Sequence, residues 1–252
     1  VRKGIALIAV LLAAMTLGAK EKDKDKDEKK SSGSHLVDSG TFGIYVGGKR
    51  VGTETFRIEQ SGDVGTVTAD LKVNDGSSRA EQSSEMQVGR DGNLKSYKWH
   101  STLPAKEEST IEPKDSFLVE HVLPADQKKQ DVPYILPLST VILDDNFFSH
   151  RELLVWRYLA TGCIPKDGLL ACNPSQFGVL IPHQHTSGSV VMELLGREKV
   201  PMKGGERELN KIKMDADGVQ WLLWTEDPEN HYKVVKMAVA AINVEVLREP
   251  EK

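Results

Sequence analysis

Between Gly40 and Val122 apolar and polar side chains alternate with a period of two, and turn residues interrupt them repeatedly. Val67, Ala69, Leu71 and Val73 share one face of such a run while Thr66, Thr68, Asp70 and Lys72 share the other. This is the pattern of a strand with one buried face. Gly47-Gly48, Ser61-Gly62-Asp63, Asp75-Gly76 and Asp91-Gly92 fall between the runs, and such dipeptides turn one strand back on the next. The alternation predicts strands near 40–46, 51–60, 65–73, 79–89, 94–102, 108–113 and 116–123. With links this short, consecutive strands form an antiparallel meander.

The second half changes character. Leu123 to Pro137 carries Pro124, Pro133 and Pro137 around a polar tract and reads as a crossing loop. Ser149 followed by Glu152 has the spacing of a capping box. Phe147 and Phe148 before it, and Leu153, Leu154, Val155, Trp156, Tyr158 and Leu159 after it, place apolar residues on nearly every side before Gly162. A helix near 147–160 of that composition is enclosed rather than laid on a surface. Strands resume near 176–182, 188–195, 206–214, 219–226 and 231–247, with turns at Asp217-Gly218 and Asp227 to Asn230. Val219, Trp221 and Leu223 make one apolar face, while Gln220, Leu222 and Trp224 make a mixed one. No internal repeat is visible, so residues 40–249 are read as a single domain.

The amino end is a different kind of segment. Arg2 and Lys3 precede an uncharged run from Ile5 to Leu17, closed by Gly18 and Ala19. Residues 1–19 therefore read as a secretory signal peptide, and the run is shorter than the roughly 20 residues of a membrane span. No cysteine stands at position 20, where lipid attachment would need one. Residues 20–39 are read as a charged linker, opening with the alternating tract Lys20 to Ser34, which has no apolar side chain to bury. The expected home is the periplasm or the medium, of a bacterial cell if Val1 marks an alternative start codon. With 33 Lys and Arg against 37 Asp and Glu the chain is weakly acidic, which argues against nucleic acid as a partner.

Motifs of chemistry are few. Gly43 to Lys49 spells most of a phosphate loop, but Arg50 stands where a Ser or Thr is needed and a strand follows instead of a helix. Asp215 to Gly218 begins like a calcium loop and lacks its later ligands. Both are turns. Cys163 and Cys172 flank a chain reversal, and in an oxidising compartment they are expected to form a disulfide. His183 and His185 are two apart, as metal ligands on a strand can be. Thr186-Ser187-Gly188 follows at once, so they are expected at a hairpin tip in water, with no metal and no cofactor. No Gly-x-Ser-x-Gly elbow occurs, and no catalytic residues are assigned.

The order of these parts resembles a known family. Gly43-Ile44-Tyr45-Val46 followed by Arg50 to Glu54 looks like the first hairpin of an uncharacterised family, a domain of unknown function, of predicted periplasmic β-proteins. The similarity continues through Asp144 to Tyr158, Gly196 to Glu206, and Trp224 to Asp227 with Val234-Val235-Lys236. That family resembles in turn the lipoprotein-carrier (LolA-like) superfamily. The resemblance implies a mainly β fold, a curved antiparallel sheet (half-barrel) of about ten to twelve strands wrapped around one apolar helix, with an apolar groove and no catalytic residues. An enclosed helix between two blocks of strands needs a curved sheet as well. On strand parity and helix position, Phe56, Ile58, Leu71, Tyr97, Trp99, Phe148, Tyr158, Trp221 and Leu223 would line the groove. The expected role is a non-enzymatic binder of a lipid or lipidated envelope component. The alternatives are an envelope interaction or assembly protein whose groove is filled by its own helix, and an unrecognised hydrolase.

Overall fold

The computed structural model describes residues 33–124, 130–166, 169–202, 204–216 and 218–250. The expected signal peptide and residues 20–32 of the expected linker lie outside them. So do 125–129 of the expected loop, Asp167 and Gly168 between the cysteines, and Asp217.

Seven strands come first: β1 (His35–Val46), β2 (Lys49–Ser61), β3 (Val64–Asn74), β4 (Arg79–Gly89), β5 (Leu94–Leu103), β6 (Glu107–Lys114) and β7 (Phe117–Pro124). Then β8 (Gln130–Tyr134) and β9 (Val141–Ile142) lead to helix α1 (Ser149–Gly162). After it come β10 (Cys163–Lys166), β11 (Leu169–Cys172), β12 (Ser175–Ile181), β13 (Thr186–Met202), β14 (Gly205–Ala216), β15 (Val219–Thr225), β16 (Val234–Val239) and β17 (Val244–Arg248). The period of two places the expected strands within a few residues of their positions, and Gly47 and Gly48 turn β1 into β2 with φ of +58° and +77°, a conformation cheap only for glycine. β1 begins at His35, earlier than the alternation suggested.

Among the described residues fifteen strands form one sheet, ordered β8-β7-β6-β5-β4-β3-β2-β1-β17-β16-β15-β14-β13-β12-β9, and β10 pairs with β11 as a separate two-stranded ribbon. The first and last strands are thus neighbours in the middle, Phe42 opposite Arg248 and Val46 opposite Val244. Each block runs outward from there as a meander. Register brings the apolar parity residues together, as in Phe56 opposite Ala69 and Ile58 opposite Val67. Laid flat, fifteen strands at about 4.8 Å spacing would put β8 and β9 roughly 67 Å apart. Only residues 135–140 separate those two strands in the chain, which reach at most about 25 Å. The sheet must therefore roll up, and it does so around α1.

The strand count is higher than the expected ten to twelve for identifiable reasons. The segment read as a crossing loop contains β8, whose Leu118 to Tyr134 pairing with β7 tolerates Pro133 at the sheet's edge. β9 is two residues long and pairs in parallel with β12. The last expected strand, 231–247, is broken at 240–242, and Asn243 takes φ of +52°. The two cysteines stand opposite one another at the base of the β10–β11 hairpin and are bonded.

The inner face and α1 make one continuous core from Phe42 on β1 to Val246 on β17, including Leu154, Val155 and Tyr158 of the helix, all fully buried. A second, smaller core lies on the outside. Beyond a register shift at Gly196, β13 and β14 continue as a long hairpin, and its Val200 and Leu209 cover Trp224 and Val235. Trp224, on the face read as mixed, is therefore buried too.

Candidate functional site

Eight of the nine expected groove residues, Phe56, Ile58, Leu71, Tyr97, Trp99, Phe148, Tyr158 and Leu223, are buried in the main core. Trp221 is half-buried at its margin, 6.2 Å from the Phe148 ring and beneath the Arg151 guanidinium at 4.2 Å. Phe42 stacks on Phe56 at 5.0 Å. The side chains that were to line a groove are packed against one another and against α1.

What sequence reasoning missed is a set of carboxylates on that same interior. Asp38, Glu54, Glu120, Asp144 and Glu152 are all essentially inaccessible to water. Parity carried the signal, since Glu54 shares a face of β2 with Phe56 and Ile58, and Glu120 shares a face of β7 with Leu118 and Val122. A charge in such a register must meet partners or lose its charge.

Each carboxylate answers particular donors. Glu54 accepts the backbone N–H groups of Phe148 and Ser149, at 2.5 and 2.9 Å. It is therefore the N-terminal cap of α1, supplied from 95 residues away. The expected capping box does not form: no side chain within the helix caps it. Glu152 instead accepts Val234 N–H and pairs with Arg248, which also binds Asp38. Burial outweighs these helpful contacts for Glu54, pushing its pKa up to about 7. For Glu152, burial raises the pKa against the opposing pull of Arg248.

The remaining two carboxylates meet the histidines. The short turn Pro182–Gln184, with His185 in a left-handed conformation, follows β12. His183 Nδ1 lies 2.9 Å from Asp144 Oδ1, and Tyr97 donates its hydroxyl to Asp144 Oδ2 at 2.8 Å. His185 Nδ1 lies 3.0 Å from Glu120 Oε2, which also receives the Tyr134 hydroxyl at 2.7 Å. The two imidazoles stand at the tip of the β12–β13 hairpin, His183 half-buried and His185 exposed, and each leans onto a buried acid. Their partners lie 39 and 65 residues away in sequence, which is why local spacing could not find them. Burial alone would raise Asp144, but the hydrogen bond and charge of His183 hold it below the ordinary range. His150, on α1, is pushed down to about 4, chiefly by burial.

Chemically, oriented imidazole–carboxylate pairs can move protons. The two cysteine thiols are consumed in the disulfide, and among the described residues no three His, Cys, Asp or Glu side chains are grouped to hold a metal ion. Two surface clefts, of about 410 and 470 Å³, are lined largely by polar side chains of β2–β6.

The fold is similar to that of a solved structure described as a β-barrel-like protein of domain of unknown function DUF1849 from Brucella abortus. The TM-score is 0.52 and the identity 10%, over 85% of this chain and 98% of that one. No family model and no curated protein matches the sequence. The likeness shows a β-barrel-like fold in common with that protein.

Proposed function

We propose that this is an exported protein of the cell envelope that acts as a non-enzymatic interaction or assembly component, its concave face occupied by its own helix. The observation that carries this reading is the packing of the inner face: the eight buried groove candidates spend their apolar surface on α1 and on each other. Interiors close-packed in this way leave binding to the outside. Export is supported by the Cys163–Cys172 bond, since disulfides persist in oxidising compartments, and by the charged start and apolar run of residues 1–19. Among the described residues no helix is long and apolar enough to cross a membrane.

The test is native mass spectrometry of the protein purified from its own host. The expected species is a chain beginning between Gly18 and Glu21, alone or with a protein partner. A retained lipid would favour the second reading, in which an acyl chain enters beside Trp221. That reading is supported by the position of Trp221 alone, half-open between Phe148 and Arg151. Saturable binding of a fluorescent fatty acid, lost in Trp221→Arg with the fold intact, would establish it over the first.

A further inference from the structure

Where the rolled sheet fails to close, side chains do the joining. On one side stand β5 to β8 of the first block; on the other stand the edge strand β9 and, behind it, β12 and β13, linked by the turn that carries His183 and His185. Glu120 on β7 receives hydroxyls from Ser109 on β6 and Tyr134 on β8, at 2.6 and 2.7 Å, and His185 approaches it from across the gap. Asp144, just past the edge strand β9 that pairs with β12, is held by His183 on its own side and by Tyr97 on β5 from across the gap. Both carboxylates are fully buried. At Glu120 a carboxylate of the first block meets an imidazole of the second; at Asp144 a carboxylate of the second side, fixed there by His183, meets a hydroxyl of the first. We propose that these two joints form a clasp across the seam of the shell, and that the proton on His183 sets its grip, so that the seam loosens as the pH rises.

The groups facing His183 are Asp144 and Asp145, from the segment after β9, and Arg151 on α1. Burial disfavours the charged imidazole, but the Asp144 hydrogen bond and charge, helped by Asp145 and opposed by Arg151, raise its pKa above the ordinary value. A raised imidazole contributes stability fully below about 6.5, its unfolded value, and loses it as the pH climbs through the folded value. Above that point Asp144 stays ionised and buried with only a neutral partner, a weaker bond than an imidazolium–carboxylate pair. Its other neighbour, His150, is neutral throughout this range and receives the Asp144 N–H on Nδ1 at 3.3 Å. Tyr97 and Tyr134 are held above the ordinary phenol range, by burial first and by their carboxylates second, and so remain donors. The clasp is independent of the interaction role proposed above.

Hydrogen exchange read by mass spectrometry, corrected for intrinsic rates, tests it at about pH 6 and about pH 8.5. Peptides covering 130–134 and 180–190 should lose on the order of tenfold protection at the higher pH, while β3 in the middle of its block changes little. His183→Gln keeps a neutral donor and removes the titration, so the seam peptides should become insensitive to pH. Glu54 and Glu152 titrate in the same window, but their partners lie on α1, β16 and β17, and their effect should be equal in both proteins. Equal seam protection at both pH values in the wild type would overturn the proposal, as would a pH response that survives in His183→Gln. If circular dichroism shows that the variant does not fold, the wild-type contrast between seam and β3 decides alone.

Discussion

Glu54 takes a charge into the apolar interior of β2 and spends it on two backbone N–H groups that α1 would otherwise leave without partners. Glu54→Ala strands both in a dry site and should cost about 2–4 kcal/mol in denaturant melts. The pH dependence separates two buried groups. With a folded pKa near 7 against 4.5, Glu54 contributes stability that is complete below 4.5 and lost as the pH rises through 7. His150 runs the other way: lowered from 6.5 to about 4, its contribution is complete above 6.5 and lost as the pH falls through 4. Between these values the two slopes oppose one another. Glu54→Gln retains an acceptor and removes one slope, so the variant should lose stability on acidification from 6.5 to 4, by up to about 1.4 kcal/mol per pH unit. A wild type as steep as the variant would contradict the assignment.

At the scale of elements, α1 is held from outside itself. Leu154, Val155 and Tyr158 are fully buried, the Tyr158 hydroxyl accepts Leu194 N–H from β13 at 3.0 Å, and the cap comes from β2. Leu154→Asp places an unpaired charge in this core and should abolish the cooperative melt; wild-type melting would place the helix on the surface. The β10–β11 hairpin is the opposite case, a two-stranded ribbon stapled by a bond between residues nine apart. Cys172→Ala should lower stability by about 2–3 kcal/mol while leaving the circular dichroism of the large sheet unchanged. The helix was legible from the crowding of apolar residues after Ser149. Its cap was not, because Ser149 and Glu152 have the local spacing of a box whose Glu152 side chain is drawn instead to Val234 and Arg248, while Glu54 of β2 takes the Ser149 N–H.

For the whole molecule the decisive joint is where chain start meets chain end. Arg248 on β17 binds Asp38 on β1 and Glu152 on α1, with its guanidinium over the Phe42 and Phe56 rings. Arg248→Met leaves buried Glu152 without its cation and Asp38 with Lys233 alone, a loss of about 3–5 kcal/mol at neutral pH. Glu152, already raised, then takes up a proton more readily, so the variant should regain stability as the medium is acidified toward pH 5, as equilibrium unfolding would show. The period of two determined by itself that the chain forms antiparallel strands, and which residues of Phe56, Ile58, Leu71, Tyr97, Trp99 and Leu223 face inward, because side-chain direction along a strand is a local property. Cysteine spacing determined the disulfide in the same local way. Only the tertiary structure decided that β1 and β17 are neighbours, that the interior is filled by α1, and that Glu120 and Asp144 meet His185 and His183. Those outcomes depend on how a fifteen-stranded sheet rolls, which brings together residues that no sequence spacing connects and leaves buried charges to select their partners in space.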